Sequence, residues 1–505
     1  MLKVSTTKLA ESWAATNFVA QKKISQKRNV QCVIHLQSKN GYQETGTAVN
    51  IHLNCVQFEI FGAKKKSDFV KDIEDFKIIF MDDVLYSGKA SLGFFIEQET
   101  KLYVEAKLDD QFWKRWYDDC KNVSKTFYSD IFSNFHSCWA DSNNIDQQFK
   151  LAVYDMRSFL EEFKIWAEHL EVQLMLKGTR HSKLDEDKMI RSLLDPFTRQ
   201  MDLLIERMEN GYLSDTNADS NRYKLFLRNS LHSLVLCSPF AKRAFQKPLG
   251  YAGDYLMVSM MLANHLFEGG NLFSRIINAW FLNQTPAEAH RNRVVFLEKA
   301  IVSVAMSAKS KGKVARIYSM GCGPAGEIHN FITNHNLSNY VHFDLVDFNE
   351  ETLNQLKQSL NNLAENTNKP IFFNPIKKSV HEFLKEGRRD KGKKAAIDYD
   401  FIYCAGLFDY LQDSVCSEMM DIFYEMLVPG GVLLATNATD QLNEKRPFRY
   451  SMELILDWHL IYRSPLDFLA FAPKAAPNDN VKTLAENVGA NLFLEVIKPE
   501  PCLKA

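Results

Sequence analysis

The segment Gly321-Cys322-Gly323-Pro324-Ala325-Gly326 follows a short apolar run, Arg316–Met320, and opens a helical pattern. Glycine belongs where a backbone must turn sharply and let a ligand come close. A GxGxxG match alone is a weak signal. Asp347, 24 residues past Gly323, closes a second apolar run, Val341–Val346. A carboxylate in that place accepts hydrogen bonds from both hydroxyls of a ribose. Glycine loop and acid together predict a ribose-bearing cofactor. On this evidence NAD fits as well as any other.

The elements that must position these residues alternate helix and strand from about Ala287 to the end, as in a doubly wound sheet. Five strands are predicted: Arg316–Met320, Val341–Val346, Ile371–Asn374, Asp400–Cys404 and Val432–Thr436. A terminal hairpin, Val481–Glu486 with Asn491–Ile497, turns at Gly489, although Val481–Glu486 reads equally well as helix. The fourth strand runs into Ala405-Gly406-Leu407-Phe408-Asp409-Tyr410-Leu411, and Pro429-Gly430-Gly431 precedes the fifth.

That combination resembles the class I S-adenosylmethionine-dependent methyltransferases and moves the expected cofactor from NAD to S-adenosyl-L-methionine. The resemblance implies an α/β fold with a Rossmann-like seven-stranded methyltransferase sheet over residues 287–505. It implies Gly321 and Gly323 under the cofactor, Asp347 on the ribose and Phe348 against the adenine. Ser379 and Val380 would lie at the adenine edge, and Ala405, Gly406 and Leu407 beside the methionine portion. From the residues alone, Ser379 and Val380 also read as an N-cap followed by a core residue.

Two further clusters lie outside this core. In Lys247-Pro248-Leu249-Gly250-Tyr251-Ala252-Gly253-Asp254-Tyr255, two glycines and a proline interrupt a helical pattern and gather two aromatics and a carboxylate. Asp254 is assigned to the cofactor and Tyr255 to the acceptor; the plainer reading makes Asp254 the cap of a helix over Leu256–Phe267. The second cluster, Met452 to Arg463, offers Asp457, Tyr462 and Arg463, and an arginine there suits a substrate carboxylate. Its plainer reading is an amphipathic helix with surface charges. With AGLFDYL, these clusters resemble a bacterial methyltransferase family sharing GYAGDY, AGLFDYL and DWxLxYR segments. Some of its members are described as proteins of 3-hydroxypalmitic acid methyl ester biosynthesis, an extracellular signalling factor. The likeness runs from about Ser238 to Pro499, and implies that the GYAGDY segment closes over the cofactor.

Methyl transfer from a sulfonium has a neutral leaving group and mainly requires nucleophile and methyl to be held in line. A carboxylate acceptor needs no base. An alcohol or amine does, and Tyr251, Asp409 and His459 are the candidates. No base relay stands out, which favours the carboxylate of a small molecule or hydroxy fatty acid, with Arg463 as its anchor. Tyr255, Tyr410, Asn437, Asp457 and Tyr462 complete the expected acceptor contacts. Another metabolite or protein acceptor, or a signalling protein that binds the cofactor without turnover, stays open.

Residues 111–286 read as helical. Phe149–Leu176 carries Leu151, Tyr154, Phe159, Phe163, Trp166, Leu170 and Leu174, mostly at spacings of three and four. Met189–Met208 and Tyr223–Leu236 are similar, with Ser238-Pro239 ending the latter. This region either forms a lid or pairs with a second copy as a homodimer. Residues 1–110 read as a small β-barrel, with a hairpin turn at Asn40-Gly41. Around Thr47–Cys55 the barrel resembles a degenerate PilZ domain, the module that binds cyclic di-GMP. His52 and Cys55 stand where that motif has serine and glycine, and upstream there are only Lys23 with Lys27 or Arg28. Nucleotide binding by this barrel is therefore not expected.

Of the 505 residues, 24% are charged and the net charge is −1, so nothing in the balance points to nucleic acid. The runs Lys64-Lys65-Lys66 and Lys385–Lys394 read as solvated loops. No apolar stretch approaches the ~20 residues of a membrane span. The nine cysteines show no CxxC pair and suggest neither a metal site nor disulfides. A cytoplasmic protein with reduced thiols is expected.

Overall fold

The computed structural model describes residues 32–37, 43–52, 54–61, 69, 71–80, 83–97, 101–109, 132–133, 136–137, 139–140, 144–176, 183–215, 219–262, 268–390, 398–439 and 448–500. It divides into two compact units, Met1–Ile145 and Asp146–Ala505.

In the first unit, alternating apolar residues make two-faced strands. These are β1 (Cys32–Gln37), β2 (Gln43–Ile51), β3 (Cys55–Phe61), β4 (Asp72–Phe80), β5 (Asp83–Glu97) and β6 (Lys101–Leu108). They close into an antiparallel barrel in the order β1-β2-β3-β6-β5-β4. Closure leaves no open sheet edge. Ile34, Leu36, Val56, Phe58, Ile60, Phe76 and Ile78 fill the interior. The expected small barrel is present. Asn40-Gly41, Lys23, Lys27 and Arg28 lie outside the described residues, as does the run Lys64-Lys65-Lys66.

The second unit begins with helices α1 (Gln147–Leu176), α2 (Lys183–Ser214) and α3 (Ser220–Val235). Helix α1 has the expected period but a different phase. Phe149, Ala152, Val153, Met156, Leu160 and Ala167 are buried, whereas Leu151, Tyr154 and Trp166 are exposed. Alanines on the inner face allow α2 to pack closely, which a rule weighted to large side chains misses. Ser238 starts a helix rather than only ending one: its hydroxyl caps α4 (Pro239–Gln246). Helices α5 (Tyr255–Leu262), α6 (Leu272–Leu282) and α7 (Thr285–Ser310) lead to the sheet.

The sheet alternates with helices from there: β7 (Ala315–Met320), α8 (Gly326–Asn334), β8 (Val341–Asp347), α9 (Glu350–Thr367), β9 (Phe373–Lys377), α10 (Val380–Asp390) and β10 (Tyr399–Cys404). Then come α11 (Asp413–Glu425), β11 (Leu427–Ala438), α12 (Arg449–Ile455), α13 (Pro465–Leu469), β12 (Val481–Ala485) and β13 (Asn491–Ile497). The strand order is β12-β13-β11-β10-β7-β8-β9. The strands are parallel except that β13 runs antiparallel to both β11 and β12. This is a Rossmann-like α/β sheet of seven strands. Val481–Ala485 is a strand, so the helical alternative fails there. Part of the basic run read as a loop is also helical, since α10 extends through Asp390.

One core, including Ile402, Cys404 and Phe423, lies on one face of the sheet. The other face packs Ile301, Ile317, Phe331 and Phe401. With both faces buried, the central strands are nearly continuous apolar runs. The chain winds outward from β7 toward β9, then crosses to β10 on the other side. A crevice forms at such a reversal, outside the carboxyl ends of the strands.

The helical region is tied to the sheet region by polar contacts. Glu209 of α2 is buried and accepts from the Ser451 amide at 2.8 Å and its hydroxyl at 2.7 Å. Burial pushes its carboxyl up to about 7, against the pull of the Ser451 bonds. A folded pKa above the unfolded value gives stability that is full below about 4.5 and lost as pH rises through about 7. Glu209→Gln keeps an acceptor oxygen and removes the charge. Thermal melts at pH 5 and pH 8 should therefore show a smaller loss of Tm at pH 8 for this variant than for the parent chain. An unchanged pH dependence would contradict this reading of Glu209.

Candidate active site

Gly321 and Gly323 take positive φ values of 72° and 51°, the left-handed region glycine tolerates. The amides of Gly321 and Cys322 bond the Val346 carbonyl at 2.9 and 3.0 Å, which folds the loop over the end of β8. Asp347 is 8% exposed. Its Oδ2 accepts from the Gly323 amide at 3.3 Å and its Oδ1 from the Asn349 amide at 2.9 Å. Burial raises its pKa while these amides pull it down. Each oxygen keeps acceptor capacity for a hydroxyl. Phe348 is 52% exposed, and its ring faces Tyr251 at 5.3 Å between centroids.

Ser379 forms a reciprocal cap with Glu382: the Glu382 amide donates to the serine hydroxyl at 3.2 Å, and the Ser379 amide to the glutamate at 2.9 Å. Val380 packs on the core below the sheet. Here the geometry is that of the plainer reading.

At the end of β10, Gly406 has φ 85° and its amide donates to the Thr436 hydroxyl at 2.9 Å. Leu407 lies over Gly321, where an added Cβ would come within 3.5 Å of the Leu407 Cβ. Ala405 is partly buried against the helical face of the sheet. A 3-10 turn, Phe408–Tyr410, follows.

The three motif segments meet at Tyr410. Its hydroxyl donates to the Ala252 carbonyl at 3.3 Å and accepts from the Trp458 indole at 2.8 Å. Gly253 packs against both rings with φ 73°. Burial pushes the phenols of Tyr410, Tyr251 and Tyr462 up, Tyr251 to about 12 with Asp347 adding to the shift. All three are hydrogen-bond donors at neutral pH, not bases.

Several nominated residues are engaged otherwise. Asp254 is 1% exposed. Its carboxylate caps α5 through the Leu256 and Met257 amides at 3.0 and 2.9 Å, and pairs with Arg243. Tyr255 donates to Glu351 at 3.0 Å. Arg463 has all five donors occupied. They reach Asp413 at 3.1 and 2.8 Å, Phe408 O at 2.8 Å, Leu411 O at 2.6 Å and Asn437 Oδ1 at 2.5 Å. An anchor needs a free donor, so the geometry corrects the assignment of Arg463 to a substrate carboxylate. The Asn437 amide nitrogen is likewise occupied by the carbonyls of Ala438 and Ile461.

The segment from Asp457 is not helical: Asp457 has φ 55°. Its carboxylate gathers Lys224 at 3.1 Å, Arg228 at 2.9 Å and Lys247 at 2.9 Å. Burial alone would raise its pKa, but the bonds from Lys247, Arg228 and Lys224 hold it well below the carboxylate range. The exposed His459 ring lies 2.9 Å from the Lys224 ammonium. Tyr462 stacks under Arg449 at 4.3 Å. Asp409 is buried, accepts from the Ala438 amide, and is pushed up to about 6 by burial against the pull of Arg293.

Arg293 escapes the sequence reading. It lies on α7 among Arg291 and Asn292, where a solvated helix face looks the same. It is 7% exposed, and its guanidinium lies against Gly406. Among the described residues no group of acidic, histidine and cysteine side chains could hold a metal ion. No helix there is long and apolar enough to cross a membrane.

No family model matches the chain, and no curated protein does. Among solved structures, it is similar to a possible exported protein from Bordetella parapertussis at 14% identity, covering 64% of this chain and 98% of that one, TM-score 0.37. It is similar to the S-adenosylmethionine-dependent methyltransferase SibL in its apo form at 13%, covering 69% and 98%, TM-score 0.33. It is also similar to magnesium protoporphyrin IX methyltransferase from Synechocystis PCC 6803 with bound SAH at 10%, covering 43% and 87%, TM-score 0.29. Likenesses this distant say nothing about activity.

The Tyr410 contact separates two glycines. A Cβ on Gly253 would meet the Tyr410 hydroxyl at 2.9 Å and Trp458 at 3.1 Å, whereas one on Gly250, φ 86°, meets nothing within 4 Å. Gly250→Ala should cost about 1 kcal/mol in backbone strain. Gly253→Ala should cost about 1–3 kcal/mol more from the displaced rings. Denaturant titrations monitored by tryptophan fluorescence would check this; equal losses would disprove the packing role of Gly253.

Proposed function

We propose that the chain is an S-adenosyl-L-methionine-dependent methyltransferase. The observation that carries this reading is the union of the Gly321–Gly323 loop and Asp347 with the Tyr251–Tyr410–Trp458 cluster beside the same strand ends. The loop and Asp347 suit a ribose. Phe348 and Tyr251 offer aromatic surface for a purine. Gly406, after β10, makes the left-handed turn beside which the amino-acid end would lie. When bound, the cofactor supplies an electrophilic methyl on sulfur. The residues of this chain hold it, exclude water and orient the acceptor.

The acceptor we favour is the carboxylate of a small molecule or hydroxy fatty acid. The phenols around the site stay protonated, His459 is exposed and close to a lysine, and Asp409, pushed up to about 6, is buried and accepts from the Ala438 amide, so none of the three candidates presents an open base to an alcohol. A carboxylate is already the nucleophile at neutral pH and needs only orientation. The surplus of Lys224, Arg228 and Lys247 over Asp457 suits an acidic acceptor.

Asp347→Ala should weaken S-adenosylmethionine binding about 10- to 100-fold, the loss expected for hydrogen bonds to a charged acceptor. Calorimetry measures this directly, with NAD as the comparison; equal affinity for NAD would refute the cofactor assignment. Incubation with acid pools should release S-adenosylhomocysteine and give products whose methyl group leaves as methanol in base. A base-stable ether or amine would refute the acceptor class.

A further inference from the structure

Among the buried arginines of the described residues, Arg293 and not Arg463 has a donor left unpaired. Its Nη1 is buried and has no hydrogen-bond partner among the described residues. An isolated buried charge is costly unless an opposite charge or acceptor completes it. Asp409 and Glu327 are its nearest electrostatic counterparts. Each of them is directed elsewhere: Asp409 Oδ1 takes the Ala438 amide, and Glu327 takes the Tyr403 hydroxyl at 2.7 Å. They hold the guanidinium in place without filling its donors.

Its position says what fills them. A Cβ on Gly406 would lie 2.9 Å from Nη1 and 3.2 Å from Nη2, so the guanidinium abuts the backbone at the end of β10. Asp347 lies at the end of β8, on the other side of β7. A cofactor lying across the end of β7 with its ribose on Asp347 turns its other end toward Gly406. We propose that Arg293 is a positioning residue that binds the α-carboxylate of the methionine moiety of S-adenosylmethionine. This rests on the cofactor reading above. A guanidinium matches a carboxylate in geometry, offers two parallel donors and keeps its charge at every working pH. Fixing that end would fix the reach of the sulfur, and with it the line of methyl transfer. It would also distinguish this cofactor from its breakdown products that lack the amino acid.

The test compares S-adenosylhomocysteine with 5′-methylthioadenosine, which carries the same nucleoside and no carboxylate. Calorimetry on the full chain should show tighter binding of S-adenosylhomocysteine. In Arg293→Gln that preference should fall about 10- to 100-fold, with methylthioadenosine affinity unchanged. Arg293→Lys should recover part of it. Unchanged affinity for S-adenosylhomocysteine overturns the proposal, also where only the acceptor KM rises, since Arg293 would then face the acceptor. An equal loss for both ligands overturns it too, marking a merely structural role. If the parent chain binds neither ligand, the cofactor reading itself fails; if it binds both equally, only the role of Arg293 does.

Discussion

The arrangement at the strand ends depends on one buried cation with no donor to spare. Arg463 bonds two carbonyls of the turn after β10, the side chain of Asn437 on β11, and Asp413 at the start of α11. Without it the Phe408 and Leu411 carbonyls would keep only a 3.2 Å bond from the Leu411 amide and a 3.6 Å contact from the Cys416 thiol. With it, Gly406 and Tyr410 are fixed on either side of the same short turn. Tyr410 then receives the GYAGDY segment through Ala252 and the segment after β11 through Trp458. A buried charge contributes here by specifying one loop geometry, since a folded chain gains little net stability from burying one.

The two arginines divide the work of charge in the site. Arg463 is saturated by the protein and holds shape. Arg293 is buried against Gly406 with one guanidinium nitrogen unpaired among the described residues. Asp457 does for the helical region what Arg463 does for the turn. It draws Lys224 of α3, Arg228 of α3 and Lys247 after α4 onto a single carboxylate, and with Glu209 and Ser451 joins the helices to the sheet. These contacts fasten the helical region to the segment that follows β11.

Much of this was legible in the sequence because glycine, proline and alternating apolar residues act locally. The carboxyl ends of β7 and β10, the glycine loop and Asp347 stand where period and turn chemistry put them, whereas β9 is displaced from the expected Ile371–Asn374 to Phe373–Lys377 and β11 begins at Leu427, so Pro429-Gly430-Gly431 lies within it. The barrel followed from β-branched and aromatic runs between turns. What was not legible is partnership. Arg463 reads as a free cation because nothing local shows that Asn437, 26 residues away, and Asp413 take its donors. Arg293 reads as a solvated helix residue because its burial comes from the sheet. In α1 the period was visible, but the choice of Ala152 and Ala167 over Leu151 and Trp166 for the inner face depends on how closely α2 approaches. Asp254 and Ser379 showed both roles, and the cap is the one the local backbone supports.

The most direct measurement is a crystal structure of the full chain grown with S-adenosylhomocysteine. The ribose hydroxyls should lie within hydrogen-bond distance of the Asp347 carboxylate, with the thioether sulfur directed toward Tyr251 and Tyr410. A ligand seated away from Asp347, or one whose sulfur points away from these tyrosines, would contradict the account.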